Sequence, residues 1–271
     1  MMDIVSRMNS GERVSIGMVH TLALPGSYDG SRTLEEIIRR ATADAKTLED
    51  AGFDAVIVEN VHDSPWPEEG MNVQQTASLA IVANEVRKAV RIEVGLDACG
   101  RPNTGIEIAQ AVSGISFVRI PFFVDARIGM YGIMQPMGAD AVWLRKRIGA
   151  DHVKIFADIQ VKHTYALRED IPIEASAAWA VETKADAVII TGSTTGEETP
   201  VGLLHRVRQV CGLPIVVGSG CSVKNVKEQY KAGNGAIVGS SLKAQKNLCN
   251  PIDPELARAY ILAAKERQEA V

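Results

Sequence analysis

The chain contains no Cys-x-x-Cys pair. Its four cysteines, Cys99, Cys211, Cys221 and Cys249, stand apart, and none neighbours a histidine at zinc-ligand spacing. That excludes a zinc ribbon and a disulfide scaffold, and the thiols read as reduced ones in a cytoplasmic protein. No apolar run approaches the roughly 20 residues needed to cross a bilayer. The opening residues, Met-Met-Asp-Ile-Val-Ser-Arg, lack the apolar centre of a signal peptide, so none is expected. Blocks of like charge are missing too. With a net charge of −4 and no basic stretch, nucleic acid is not an expected partner. What remains is an ordinary globular composition, 46% hydrophobic and 23% charged. Without a linker or a composition break, residues 1–271 read as one domain.

One unit recurs along the chain: a short Val- and Ile-rich run, a polar turn, then an amphipathic segment. The runs are 14–19, 53–58, 92–96, 116–120, 151–157, 186–190, 214–217 and 235–238. They are brief and apolar, as buried parallel strands are. The segments between them carry helix signals. Thr33-Leu-Glu-Glu36 has the form of a capping box, and Gly52 closes the apolar face that follows it. Further helices are expected over 73–90, 104–112, 137–148, 172–183, 201–210, 223–232 and 254–264. Strict alternation of strand and helix implies a parallel sheet. Eight units in this length match a single closed (β/α)8 TIM barrel. An open doubly wound sheet would place its glycine-rich turn after the first strand. That position instead reads His20-Thr-Leu-Ala-Leu-Pro-Gly26.

Glycine–serine turns stand at the ends of the last two strands: Val216-Val-Gly-Ser-Gly220 and Ile237-Val-Gly-Ser-Ser241. In barrels these two loops often hold phosphate. Glycine lets the backbone approach an anion, and the N–H groups that start the next helix point at it. Gly218, Ser219, Gly220, Gly239, Ser240 and Ser241 are therefore the expected phosphate-binding residues. Gly192 and Ser193, in the small polar turn Thr191-Gly-Ser-Thr-Thr-Gly196, are further candidates. The bland alternative is a pair of tight turns that only start helices.

The strand ends also carry reactive side chains. His20 follows the first strand, Glu59 and Asn60 the second, Asp97 the third and Arg119 the fourth. The fifth ends in Asp158-Ile-Gln-Val-Lys-His163. Period-two alternation puts Lys154, Phe156, Asp158, Gln160 and Lys162 on one face, and Ile155, Ala157 and Ile159 on the other. The apolar face should meet helices, so the polar one points into the barrel. Two pairings follow as expectations: Glu93 with Lys154 low in the barrel, and Asp97 with Asp158 at the top. Carboxylates that share a site push one pKa upward, which would supply an acid and a base near neutral pH. Arg119 would pair with Glu59 or an anion. Lys162 is a Schiff-base candidate if desolvated, and otherwise a surface lysine. His163 reaches the site only if the strand has ended before it, and His20 reads equally as a core histidine. No cofactor is assigned, although His20, Glu59, Asp97 and Asp158 could together hold a divalent metal. Two long segments, 59–72 and 121–138, are candidate lids. Phe122 and Phe123 are candidates for a subunit interface in an expected homo-oligomer.

Several stretches taken in order resemble the BtpA/SgcQ family. They are Ile16-Gly-Met-Val-His20 with Leu24-Pro-Gly26, Val56-Ile-Val-Glu-Asn60 with Asp63 and Pro65, and Ala157-Asp158 with Val161-Lys-His163. After them come Ile190-Thr-Gly-Ser-Thr-Thr-Gly196, Val217-Gly-Ser-Gly220 and Ala236-Ile-Val-Gly-Ser-Ser-Leu-Lys243. The resemblance runs over nearly the whole chain. It departs from the family's wording at Leu96-Asp-Ala-Cys-Gly-Arg-Pro-Asn103 and Arg119-Ile-Pro121. It implies a phosphate-binding TIM barrel of the ribulose-phosphate-binding type. Members are linked to photosystem I biogenesis or to sugar utilisation. The expectation that follows is an enzyme acting on a small phosphorylated sugar or related metabolite. Lyase or isomerase chemistry is favoured, with glycosidic cleavage as a further option. The alternative is a non-catalytic assembly factor.

Overall fold

The structure is a computed structural model that describes residues 2–168, 171–192 and 198–266. Eleven strands lie in the described residues. They are β1 (Val14–His20), β2 (Ala55–Glu59), β3 (Glu93–Asp97), β4 (Ile115–Ile120), β5 (Arg127–Gly129), β6 (Gly132–Met134), β7 (Lys154–Ile159), β8 (Tyr165–Ala166), β9 (Ala187–Ile190), β10 (Ile215–Val217) and β11 (Gly235–Val238). Eight of them close a parallel barrel in the order β1-β11-β10-β9-β7-β4-β3-β2. The seam is made by β1 against β11, with Val14 opposite Gly235 and Gly17 opposite Val238. The expected TIM barrel is therefore present.

The outer layer is α2 (Leu34–Ala51), α3 (Val73–Ala89), α4 (Thr104–Ala111), α5 (Gly138–Arg147), α6 (Ile173–Glu182), α7 (Val201–Arg208), α8 (Val226–Ala232) and α9 (Pro254–Lys265). The capping signals act as expected. The Thr33 hydroxyl accepts from the Glu36 N–H while the Glu36 carboxylate accepts from the Thr33 N–H, and Gly52 ends α2 with φ of 99°. Helix α8 starts later than its apolar pattern suggests. The Asn225 side chain accepts from the Ser222 N–H and holds that stretch as a turn. Strand β7 starts at Lys154 rather than Asp151, because Gly149, at φ of 70°, and a Val153-to-Ala150 bond make a turn first.

Alternation sorts the barrel side chains into two cores. Ile155, Ala157 and Ile159 face the helices. Ile16, Met18, Ile57, Phe117, Phe156, Ile189, Val216 and Ile237 fill the interior. Phe117 and Phe156 stack there with centroids 4.7 Å apart. Gly95 makes room for them, since a Cβ at that position would lie 2.4 Å from the Phe117 ring. A short helix that the pattern did not announce, α1 (Ile4–Asn9), seats Ile4, Val5 and Met8 on this inner cluster. It also corrects the expected Glu93–Lys154 pair. Glu93 accepts a 2.7 Å bond from Ser116, and Lys154 lies 4.0 Å from Asp3, which caps α1.

The segment expected as a long irregular lid, 121–138, contains a hairpin. β5 and β6 pair antiparallel around Met130 and Tyr131, and β8 adds on the other side of β5. The signal was Ile128-Gly-Met-Tyr-Gly-Ile133, two β-formers around a glycine-flanked turn. Phe123 is only 1% exposed and packs in the outer core, so it is not the expected interface residue. Among the described residues, no helix is long and apolar enough to cross a membrane.

Candidate active site

Parallel register sets the floor of the barrel mouth. His20 of β1 stands opposite Glu59 of β2, and Glu59 opposite Asp97 of β3. Residues paired across parallel strands point to the same side, so three polar side chains form one row. The His20 Nε2 lies 3.2 Å from a Glu59 carboxylate oxygen. Arg119 of β4 and Asp158 of β7 complete the group. The Arg119 Nε and Nη2 donate to one Asp158 oxygen at 3.0 and 2.5 Å, and its Nη1 lies 3.5 Å from Asp97.

Arg119 therefore pairs with Asp158 and Asp97; of the two partners expected for it, Glu59 or an anion, Glu59 is not its ion-pair partner. Asp97 and Asp158 do converge at the top, but on a shared guanidinium rather than on each other. The directly coupled carboxylates are Glu59 and Asp97. All five residues are buried.

Three carboxylates around one arginine cannot all ionise cheaply. Burial pushes Asp97 upward, Arg119 opposes this, and the charges on Glu59 and Asp158 add to the rise. The result is about 8 against an ordinary 3.8. Burial alone would raise Glu59 as well. The His20 hydrogen bond and the charges on His20, Arg119 and Lys162 together outweigh it, and Glu59 falls to about 2. The two carboxyls are thus pushed in opposite directions, Asp97 toward its protonated form and Glu59 toward its ionised one.

Lys162 lines the same cavity, which corrects its reading as a surface lysine. Burial lowers its pKa and Arg119 lowers it further, against Glu59, Asp158 and Asp97. The strand ends before it, because Gln160 takes φ of 48° and turns its amide to Ile171 and Ser176 instead of inward. His163 follows at φ of 59°, exposed, at the cavity rim.

Cys99 is a site residue that sequence reasoning passed over. Its sulfur is 3.7 Å from Glu59 and 4.0 Å from Asp97. Burial, then the charges of Asp97 and Glu59, push its thiol well up, so it stays protonated. The available signal was its place two residues beyond Asp97. One donor atom each from Glu59, Asp97 and Cys99 lie within 4.8 Å of one another. Two carboxylates and a sulfur are a donor set that a zinc-like cation accepts only once Cys99 and Asp97 have released their protons. Asp158 points its second oxygen at no protein partner among the described residues, and the same holds for His20 Nδ1 and Thr191 Oγ1. Of these three residues His20 lines the cavity, where a polar substrate can satisfy its free nitrogen.

The glycine–serine turns line the other side of the mouth. A Cβ on Gly218 would come within 2.5 Å of Ile189 and Thr191, so only glycine fits that strand end. Gly220 follows at φ of 71°. Ser241 donates to the Cys221 carbonyl at 2.9 Å and joins the two turns, so its hydroxyl is already committed. Ser219 accepts from the Gly192 N–H at 3.4 Å. Gly239, Ser240 and Ser241 also line the cavity, whose volume is about 1140 Å³. Ser193 lies outside the described residues.

The BtpA family model matches residues 11–266, and the chain belongs to that family. An uncharacterised protein of Thermococcus kodakarensis is 36% identical over 94% of this chain and 96% of its own length. The photosystem I biogenesis protein BtpA of Synechocystis is 29% identical, over 93% of this chain and 88% of its own. Among solved structures, the (S)-3-O-geranylgeranylglyceryl phosphate synthase of Thermoplasma acidophilum, in complex with sn-glycerol-1-phosphate, superposes with a TM-score of 0.64. It covers 98% of this chain and 100% of that one at 14% identity, a likeness of fold.

Proposed function

We propose that this BtpA-family barrel is an enzyme acting on a phosphorylated metabolite, by proton transfer of the lyase or isomerase type. The observation that carries the proposal is the convergence of Glu59, Asp97, Arg119 and Lys162 on one cavity that the two glycine–serine turns also line. Lys162, its pKa lowered by burial, would take a proton from a carbon next to a carbonyl, while Glu59, ionised, keeps one on Asp97. Asp97, protonated, would deliver one to the departing or rearranging oxygen. Arg119 and Lys162 would stabilise the negative charge that develops between these steps. Asp158 would hold the Arg119 guanidinium in place. The backbone around Gly218–Gly220 and Gly239–Ser241 would bind the phosphate. Further support is the solved relative in fold that is named for a phosphorylated product and was captured with a glycerol phosphate.

A thermal-shift screen of inorganic phosphate, sugar phosphates and nucleotides tests this on wild type and Ser240→Asp. Ser240 is half-buried at the cavity wall, so the aspartate brings a repelling charge without a backbone clash. A phosphorylated compound at a hundredfold excess over its Kd should stabilise wild type by about 2.7 kcal/mol. The variant should respond far less. If no phosphorylated compound shifts wild type, the phosphate assignment fails. The relative named for photosystem I biogenesis then favours a second reading, a non-catalytic assembly factor.

A further inference from the structure

The cavity has two unlike walls, and the strand order sets them across from each other. In the ring β1-β11-β10-β9-β7-β4-β3-β2, strand β10 lies opposite β3, and β11 opposite β4. The turns after β10 and β11 are the small, polar glycine–serine turns. The segment after β4 brings Phe122, Met130, Ile133, Met134 and Met137 to the same cavity, and Trp66, from the segment after β2, joins them by lying against Gly100 in the turn after β3. Glu59, Asp97 and Arg119 line the floor between the two, with Asp158 buried behind Arg119.

The hairpin part of the apolar wall is not core surplus. Met130 is 82% exposed and Ile133 58%, on a hairpin with a polar tether: the Tyr131 hydroxyl shares a 2.7 Å hydrogen bond with Ser64 of the segment after β2. Packing therefore does not require Met130 and Ile133 to be large and apolar, while Trp66 and Met137 also rest on the outer core. Methionine in particular adapts to varied apolar ligands. Volume points the same way. A space of about 1140 Å³ exceeds the range of roughly 300–1,000 Å³ typical of pockets for drug-sized ligands. A triose or pentose phosphate would leave most of it to water.

We infer that the substrate is a bipolar phosphate monoester: its phosphate lies on the glycine–serine turns, and a bulky apolar body, aliphatic or planar, lies against the Trp66–Met137 wall. This rests on the phosphate assignment proposed above and adds the class of the remainder of the molecule. The reacting bond would then lie between the two ends, above Glu59 and Asp97.

Calorimetry with inorganic phosphate, methyl, butyl and hexyl phosphate, and phenyl phosphate tests it. Affinity should climb with chain length, by about three- to fourfold for each methylene that the wall covers. Phenyl phosphate set against the alkyl series tells a planar body from an aliphatic one. In Ile133→Asp and Trp66→Ala the ratio of hexyl phosphate to inorganic phosphate affinity should collapse toward one. Ile133 is exposed on a surface strand, so its variant folds even if the Trp66 variant does not. A flat series with measurable phosphate binding overturns the bipolar substrate and leaves the phosphate site intact. A chain-length gain that persists in both variants overturns the assignment to this wall. Failure of every compound, inorganic phosphate included, overturns the phosphate assignment itself.

Discussion

Asp97 shows how one residue links the chemistry to the stability of the fold. Its folded pKa of about 8 lies above the ordinary 3.8, so the folded protein holds a proton that the unfolded chain releases. A group raised in this way contributes stability that is complete below about pH 4 and lost as pH rises through about 8. Wild type should therefore lose stability relative to Asp97→Asn across that window, by up to ~1.4 kcal/mol per pH unit. Asparagine cannot ionise, so at pH 9 the variant should be the more stable protein. Urea denaturation at a series of pH values measures this. Parallel stability curves for the two proteins would mean that Asp97 ionises in the folded state as it does in water. Glu59 has the opposite sign. Its lowered pKa adds stability above about pH 4.5 that is lost as pH falls toward about 2.

At the scale of elements, the repeating strand–helix plan was legible because buried parallel strands and amphipathic helices leave different periods in the chain. The Thr33–Glu36 cap and the Gly52 stop could be placed to the residue, since each satisfies a local backbone group. Register could not be read. Which of Glu59, Asp97 and Asp158 meets Arg119 depends on contacts between distant segments, and short apolar runs record no stagger. For the same reason the polar strand ends were recognisable as a set while their pairing was misassigned. Cys99 was missed because its role depends entirely on its neighbours. Helix α1 left too short a pattern to notice, yet Ile4 and Met8 are each only 1% exposed against the interior cluster. Met8→Ala should cost about 2–5 kcal/mol, the range for emptying a buried methionine site. Because α1 joins the same cluster as Val14 and Ile16 near the start of β1, while the cavity begins at Met18 and His20, phosphate affinity should stay at the wild-type value. Chemical denaturation together with phosphate titration separates the two effects. A loss under 1 kcal/mol would mean that α1 is only loosely seated.

Closure of the barrel makes the molecule respond as a whole to changes at one seam. Gly235 pairs with both Val14 and Val216, so it stands where the last strand meets the first. A Cβ there would lie 2.6 Å from the Val14 side chain and 3.0 Å from its carbonyl oxygen, and a backbone oxygen cannot step aside. Gly202, by contrast, is exposed in α7 with nothing within 4 Å of an added Cβ. The same chemical change should therefore act with opposite sign. Gly202→Ala should stabilise by up to about 1 kcal/mol through helix propensity. Gly235→Ala should destabilise by about 1–3 kcal/mol through overpacking. Its effect should also reach the mouth, because β11 carries Gly239 and Ser240 at its end, and a displaced seam moves one of the two phosphate-binding turns. Melting curves for the two variants, with and without inorganic phosphate, test both parts. Equal melting temperatures would show that the seam yields locally. A destabilised Gly235→Ala with full phosphate stabilisation would show that the turns are held from the β10 side, through the Ser241–Cys221 bond.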